Sequence, residues 1–309
     1  MIQIHIHISL THCIMFLLKA WRSAAFGMYG YLNFTKAGFM EHSKNFKAED
    51  MKVRLDGKNC IVTGANSGIG FATAQDLASR GASVYLLCRS KERGEAALSK
   101  IQTETGNQNV YLEVNNAGIL ENNRITTSEG FELNFAVNVL GTYAMTELML
   151  PLLEKAAPDA RVITVSSGGM YTSPLTKDLQ FSEGKFDGVM QYARNKRVQV
   201  ALTEKWAEKY KDKNIAFYAM HPGWAETPGV AKSLPSFSER FSGKLRTWEE
   251  GADTIIWLAL QPKEKLVPGG FYFDRAAAPK HLPFAATAGS HSIIDSIVED
   301  LRSLSGIPS

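Results

Sequence analysis

Short apolar runs alternate along this chain with stretches of helical spacing. Asn59–Thr63, Ala82–Leu87, Asn109–Val114, Arg161–Val165, Ile215–Met220 and Gly270–Phe273 read as strands. Phe71–Ser79, Lys91–Glu104, a segment from about Ser128 to Leu153, Val189–Trp206 and Ala252–Ala259 read as helices. This alternation predicts an α/β fold built on a doubly wound, Rossmann-type parallel sheet. The tail Ile293–Leu304 places Ile293, Ile294, Ile297, Leu301 and Leu304 as an amphipathic helix would.

The first 52 residues follow another pattern. Ile2, Ile4, Ile6 and Ile8 alternate with Gln3, His5 and His7 as in a strand. The two histidines have no Cys or carboxylate nearby, so no metal site is expected, and residues 1–13 are read as a disordered leader. From Met15 to Phe46, Phe16, Trp21, Phe26, Tyr29, Tyr31, Phe34 and Phe39 interleave with Lys19, Arg22, Lys36 and Lys44. Peripheral membrane contact through residues 15–46 is one reading; a helix folded back on the domain is the other. Gly27, Gly30 and Gly38 argue against one long amphipathic helix. No run of 18 apolar residues occurs, so no spanning segment is expected. The chain divides into a 1–52 extension and a single dinucleotide-binding domain, 53–309.

Composition narrows the class. The 309 residues are 45% apolar and 21% charged, ordinary for a globular chain. Thirty-four basic residues against 31 acidic give +3, too balanced to point to nucleic acid. Cys13, Cys60 and Cys88 lack metal-ligand spacing and form an odd set, which suits a reducing compartment. An intracellular protein is expected, cytoplasmic or peripherally membrane-associated, with homo-oligomerisation left open.

Three stretches carry chemistry. Thr63-Gly-Ala-Asn-Ser-Gly-Ile-Gly70 lies between a strand and a helix. Gly64, Gly68 and Gly70 let backbone approach a pyrophosphate at the helix N-terminus. Where many dinucleotide folds carry an acid for the ribose 2′-hydroxyl, this chain has Arg89, whose guanidinium suits the 2′-phosphate of NADP(H). Tyr192 and Lys196 project from one helix face. A cation about 4 Å from a phenol is worth up to roughly 4 kcal/mol at an effective dielectric of about 20, enough to tune a proton donor.

The ordered set of motifs resembles the short-chain dehydrogenase/reductase superfamily, retinol-dehydrogenase-like branch, from about Lys58 to Phe273. It comprises T-G-x3-G-I-G at Thr63–Gly70, N-N-A-G at Asn115–Gly118, the helical Asn138, Ser167 after a strand, Y-x3-K at Tyr192 and Lys196, and P-G-x3-T at Pro222–Thr227. The resemblance implies an NADP(H)-dependent oxidoreductase interconverting a carbonyl and an alcohol. Tyr192 would be the acid/base, Ser167 would hold the substrate oxygen, and Lys196 would tune Tyr192 and bind the ribose. Asn138 would hold a relay water. Gly64, Asn66, Ser67, Gly68, Ile69, Gly70, Arg89 and Asn116 would hold the cofactor. So would Tyr192, Lys196, Pro222, Gly223 and Thr227. His221 is read as satisfying a loop backbone. The apolar segment Gly229–Leu245 suggests a lipophilic small-molecule substrate. The alternatives are a non-catalytic cofactor-binding module and an impaired, truncated variant.

The last alternative rests on a gap. The resemblance implies an Asp-containing turn, a helix and the start of another strand before N-N-A-G; here Glu113-Val114 abuts Asn115. Roughly 30 residues are absent, the size of a βα crossover. One fused strand cannot fill two places. In the inner place it would force a left-handed crossover. In the outer place it would displace Asn116 from the cofactor and cost the first strand one of its two neighbours.

Overall fold

The computed structural model describes residues 2–114 and 118–307. Helices α1 (Ile2–Asn33) and α2 (Lys36–Ser43) lead into β1 (Asn59–Thr63), α3 (Gly68–Ser79), β2 (Ser83–Cys88), α4 (Lys91–Thr105) and β3 (Val110–Val114). A single turn α5 (Leu133–Phe135) joins α6 (Gly141–Lys155) through a π turn at Ala136–Leu140. Next come β4 (Arg161–Val165), α7 (Gly188–Lys209), β5 (Ala216–Met220), α8 (Pro228–Ser233) and α9 (Pro235–Arg240). Helix α10 (Trp248–Leu260), β6 (Phe271–Phe273), β7 (Ala276–Ala277) and α11 (Ile294–Ser305) complete the order. The expected strands and helices are present with ends moved by a few residues. The helix expected from Ser128 begins at Leu133, where the Glu132 carboxylate accepts the N–H groups of Asn134 and Phe135 at 2.9 and 2.8 Å.

The fold is the parallel α/β architecture expected, but the sheet is in two parts, β1-β2-β3 and β4-β5-β6-β7. All pairs are parallel except β6–β7. The fused strand takes the outer place, with Cys88 opposite Val114. Lys58 O accepts the Ser83 N–H and the Gly64 N–H donates to Leu87 O. By the parallel ladder, the N–H and C=O groups of Asn59, Ile61 and Thr63 therefore point away from β2. On β4 the same logic turns Arg161, Ile163 and Val165 away from β5, since Ala160 O accepts the Ala216 N–H and the Ser166 N–H donates to Met220 O. Among the described residues no strand pairs with either of these two edges.

Burial follows. Strand β5 is buried throughout, while β1 and β4 are only partly so. Ile61 aligns with Tyr85, and Tyr85 with Tyr111, across the face opposite the Cys60 and Val62 side chains that pack against the first core. Ile61 is 48% and Tyr111 42% exposed. The first sheet thus has its apolar layer on one face, under α3, α4 and α10. Helix α10 holds the halves together. Ala252, Ile256 and Leu260 join the first core, and Ile255 and Leu258 pack with Tyr218 and Met220. Arg161 Nη1 also donates to Leu258 O and Gln261 O, both at 2.8 Å. A surface ion pair, Lys58–Asp159, ties the starts of β1 and β4.

Two expectations about the N-terminal and apolar segments are corrected. Residues 2–33 form one helix, not a strand-like leader followed by a broken helix. A Cβ on Gly30 would lie 2.5 Å from the Trp224 ring, so that glycine is where α1 seats on the domain. Leu133–Lys155 is a helix long and apolar enough by composition to cross a membrane. One face of it, carrying Phe135, Val139 and Tyr143, packs in the core with α7 and α11, while Leu148 and Leu152 are exposed.

Candidate active site

Helix α7 starts where the Asp187 carboxylate accepts the Met190 N–H at 3.0 Å. One turn on it brings Tyr192 and Lys196 under the loop that follows β4. Of the two serines there, Ser166 is structural, its hydroxyl donating to Lys196 O at 2.9 Å. The Ser167 hydroxyl lies beside the Tyr192 phenol. Arg197, fully buried, pins that loop by donating to Met170 O (2.9 Å) and Ser173 O (3.1 Å).

Electrostatics at the pair differ from the sequence expectation. Burial pushes the Tyr192 phenol up to about 12, with the Ser167 hydroxyl pulling the other way. Burial brings the Lys196 ammonium down to about 8. Lys196 Nζ lies 5.3 Å from the Tyr192 ring centre and spends its bonds elsewhere, on Val165 O (2.9 Å) and Gln199 Oε1 (3.0 Å). Desolvation therefore outweighs the cation's pull, and Tyr192 is a protonated donor at neutral pH.

Asn138 sits in the π turn, a local widening often found at functional sites. Its side chain clamps Ile119, donating to the carbonyl at 2.8 Å and accepting the N–H at 2.9 Å. Asn134, one turn earlier, holds Glu121 the same way. This returns the chain to the site: a Cβ on Gly118 would lie 3.2 Å from Asn138 Oδ1 and 3.8 Å from Lys196 Nζ. Asn116 lies outside the described residues.

The glycine turn fits a dinucleotide pyrophosphate. Gly64 and Gly68 have φ of 67° and 59°. A Cβ on Gly70 would lie 2.4 Å from Gly64 O. Ser67 makes no side-chain cap, so the α3 N–H groups stay open to an anion. Asn66 and Ile69 flank it, Ile69 packing on Gly251 of α10. Thr227, whose hydroxyl accepts the Val230 N–H at 3.1 Å, sets its methyl against Gly68, so the two cofactor loops meet. Arg89 is exposed just beyond β2, without a hydrogen-bond or ion-pair partner among the described residues.

The Pro222–Gly223 turn is held from the extension. The Trp224 N–H donates to Phe34 O at 2.8 Å. Arg246 donates to Phe34 O (2.9 Å), Asn33 O (2.7 Å) and both Asp274 oxygens (2.6 and 2.8 Å). Phe34 is fully buried, and a Cβ on Gly168 would lie 2.5 Å from its ring. His221 is buried and neutral, its pKa lowered well below the usual value by burial and by Arg246. Its Nδ1 accepts the Gly223 N–H at 3.2 Å. Sequence reasoning passed over Gln199, Phe34 and Arg246. Gln199 shares a helix face with Lys196 at i+3, which was a usable signal; Phe34 and Arg246 gave none. Gly118 stood in the N-N-A-G run without being singled out.

A strand–glycine-turn–helix at the cofactor end, with Ser167 after β4 beside Tyr192 and Lys196 on α7, defines a nicotinamide-dependent oxidoreductase class. The profile of the short chain dehydrogenase family matches residues 58–114 and 108–236, and this chain belongs to that family. It is similar to dehydrogenase/reductase SDR family member 12 of Bos taurus, 44% identical over 312 residues, 92% of this chain and 98% of the relative. It is also similar to human retinol dehydrogenase 11, 32% identical over 253 residues, covering 72% and 79%. Among solved structures, an uncharacterised protein from Mycobacterium paratuberculosis matches with TM-score 0.64 at 24% identity, over 81% and 95% of the chains. A Shigella flexneri short chain dehydrogenase complexed with NADP matches with TM-score 0.55 at 22% identity, over 72% and 98%.

Two details bear on the gap. The family profile uses residues 108–114 twice. The 312-residue alignment is longer than this chain yet covers only 92% of it, so the bovine relative carries residues that this chain lacks.

Proposed function

We propose that the site performs NADP(H)-dependent interconversion of a carbonyl and an alcohol on a lipophilic small molecule. The carrying observation is the convergence of Ser167 and Lys196 on the Tyr192 phenol. In reduction Tyr192 donates its Oη proton to the substrate oxygen, and Ser167 holds that oxygen in place. Lys196 stabilises the phenolate left behind. Bound NADPH supplies the hydride. Gly64–Gly70 and the Pro222–Thr227 turn hold the cofactor, and Arg89 takes the 2′-phosphate. Solved relatives complexed with NADP and NADPH support that choice, although another is complexed with NADH. A lipophilic substrate is supported by Trp224, Phe237 and Phe241, whose rings pack 4.8–5.1 Å apart beside the site. The resemblance to a retinol dehydrogenase points the same way.

The segment 15–46, with the helix that carries it, is proposed as a peripheral membrane contact. On α1, Ile14, Leu17, Trp21, Met28 and Leu32 are exposed along one side, while Phe26, Tyr29 and Phe34 dock on the domain. A second reading concerns activity. The open edges of β1 and β4 favour a chain whose cofactor crevice is weakened. Lys196 here bonds the Val165 carbonyl, on the side of β4 turned away from β5. Replacing Tyr192 by Phe tests the first reading in a form with measurable turnover. Reduction should vanish while NADPH binding stays within about threefold, since only the proton donor is lost. Turnover kept within a few-fold would remove Tyr192 as the acid.

A further inference from the structure

Gln199 on α7 is almost fully buried, and both ends of its amide are engaged. Its Oε1 accepts from Lys196 Nζ at 3.0 Å. Its Nε2 donates to Asn138 O at 2.7 Å and, at 3.4 Å, to Thr142 Oγ1. Those two acceptors belong to the π turn and the first turn of α6, so the amide links the catalytic helix to the helix that clamps Ile119. We propose that Gln199 is a positioning residue that fixes the Lys196 ammonium, and hence its charge, beneath Tyr192.

An ammonium has three N–H donors. Val165 O takes one and Gln199 Oε1 another, which leaves one uncommitted among the described residues. With two donors anchored on separate elements, the third has one direction open to it. Gln199 is itself oriented from the far side: Asn138 O can only accept, and the Thr142 hydroxyl spends its proton on that same carbonyl at 2.9 Å, so the NH₂ end of Gln199 must face them and its oxygen must face Lys196. A buried cation is costly without hydrogen-bonded partners, and a bond to a charged donor is stronger than a neutral one. Burial is the one cause shifting Lys196, with no charged side chain contributing. The neutral amide is therefore the group best placed to decide how far the ammonium keeps its proton.

The functional sense of this role rests on the reading of Tyr192 as the proton donor. The test needs neither cofactor nor substrate, so the two stand or fall separately. Lys196 is titrated by NMR of lysine-labelled protein, its signal assigned by loss in Lys196→Met. Gln199→Leu removes the acceptor and should lower the Lys196 midpoint by about one pH unit, tenfold in proton affinity. Gln199→Glu places a carboxylate on the ammonium and should raise it by at least as much. Opposite shifts are the signature of a group acting through Lys196. A midpoint unmoved in both, or moved the same way by both, overturns the proposal. If Gln199→Leu does not fold, Gln199→Glu alone decides: a rise supports the role, and an unchanged or lower midpoint ends it.

Discussion

At the scale of single residues, protonation at the site is governed by burial. Tyr192 near 12 stays protonated across the physiological range, which suits donation to a carbonyl. Lys196 near 8 is the group that titrates. The reduction rate should be level below about pH 7 and fall above roughly pH 8 as the ammonium loses its proton. A pH–rate profile still flat at about pH 9.5 would contradict this. The same shift acts on stability. The folded-state pKa lies below the unfolded one of 10.5, so the unfolded chain binds more protons between the two. Lys196 therefore destabilises most below pH 8, and that penalty lifts as pH rises through the window. Arg89 gives the second test at this scale. Arg89→Asp should weaken NADPH more than NADH by about 2–3 kcal/mol; equal losses would remove the 2′-phosphate assignment. Tyr192, Ser167 and Lys196 were legible because their types and order are specific. Lys196's acceptors were not, since neither a strand carbonyl nor a buried amide leaves a mark in the local pattern.

Among the elements, α1 departs furthest from its sequence reading. Alternating isoleucines and three glycines argued against a long helix, yet tertiary contact overrides such preferences. Gly30 accepts the Trp224 ring, and Phe34 fills a cluster with Tyr171 and Phe273. Helices α3, α4 and α10 were legible because each has one helical period and one buried face, and the strands because they are short apolar runs set between turns. The helix around Asn138 was readable in type but not in its π turn, which depends on clamping Ile119. The exposed side of α1 sets the prediction here. Vesicle flotation should recover the full chain with anionic liposomes, and Leu17→Glu with Trp21→Glu should abolish recovery. Equal flotation of both forms would assign the helix to packing alone.

For the whole molecule, the missing crossover has a specific consequence. The strand takes the outer place, and among the described residues β1 and β4 are left as edges without a strand partner, with Ile61 and Tyr111 exposed on the uncovered face. The deficit was legible from Val114 abutting Asn115; which of the two places the strand would fill was not, because its apolar pattern suits both. Unpaired edges and exposed apolar surface reduce stability and invite association. The two halves remain joined through α10, which packs on both. The direct test compares thermal melting, with and without NADPH, of this chain and of one carrying a helix and two half-strands inserted after Val114. The account predicts that the restored chain melts higher by about 5 °C or more, the scale of one to two kcal/mol for a domain this size, and that NADPH raises its midpoint further than it raises this chain's. Equal midpoints and equal NADPH shifts would contradict it.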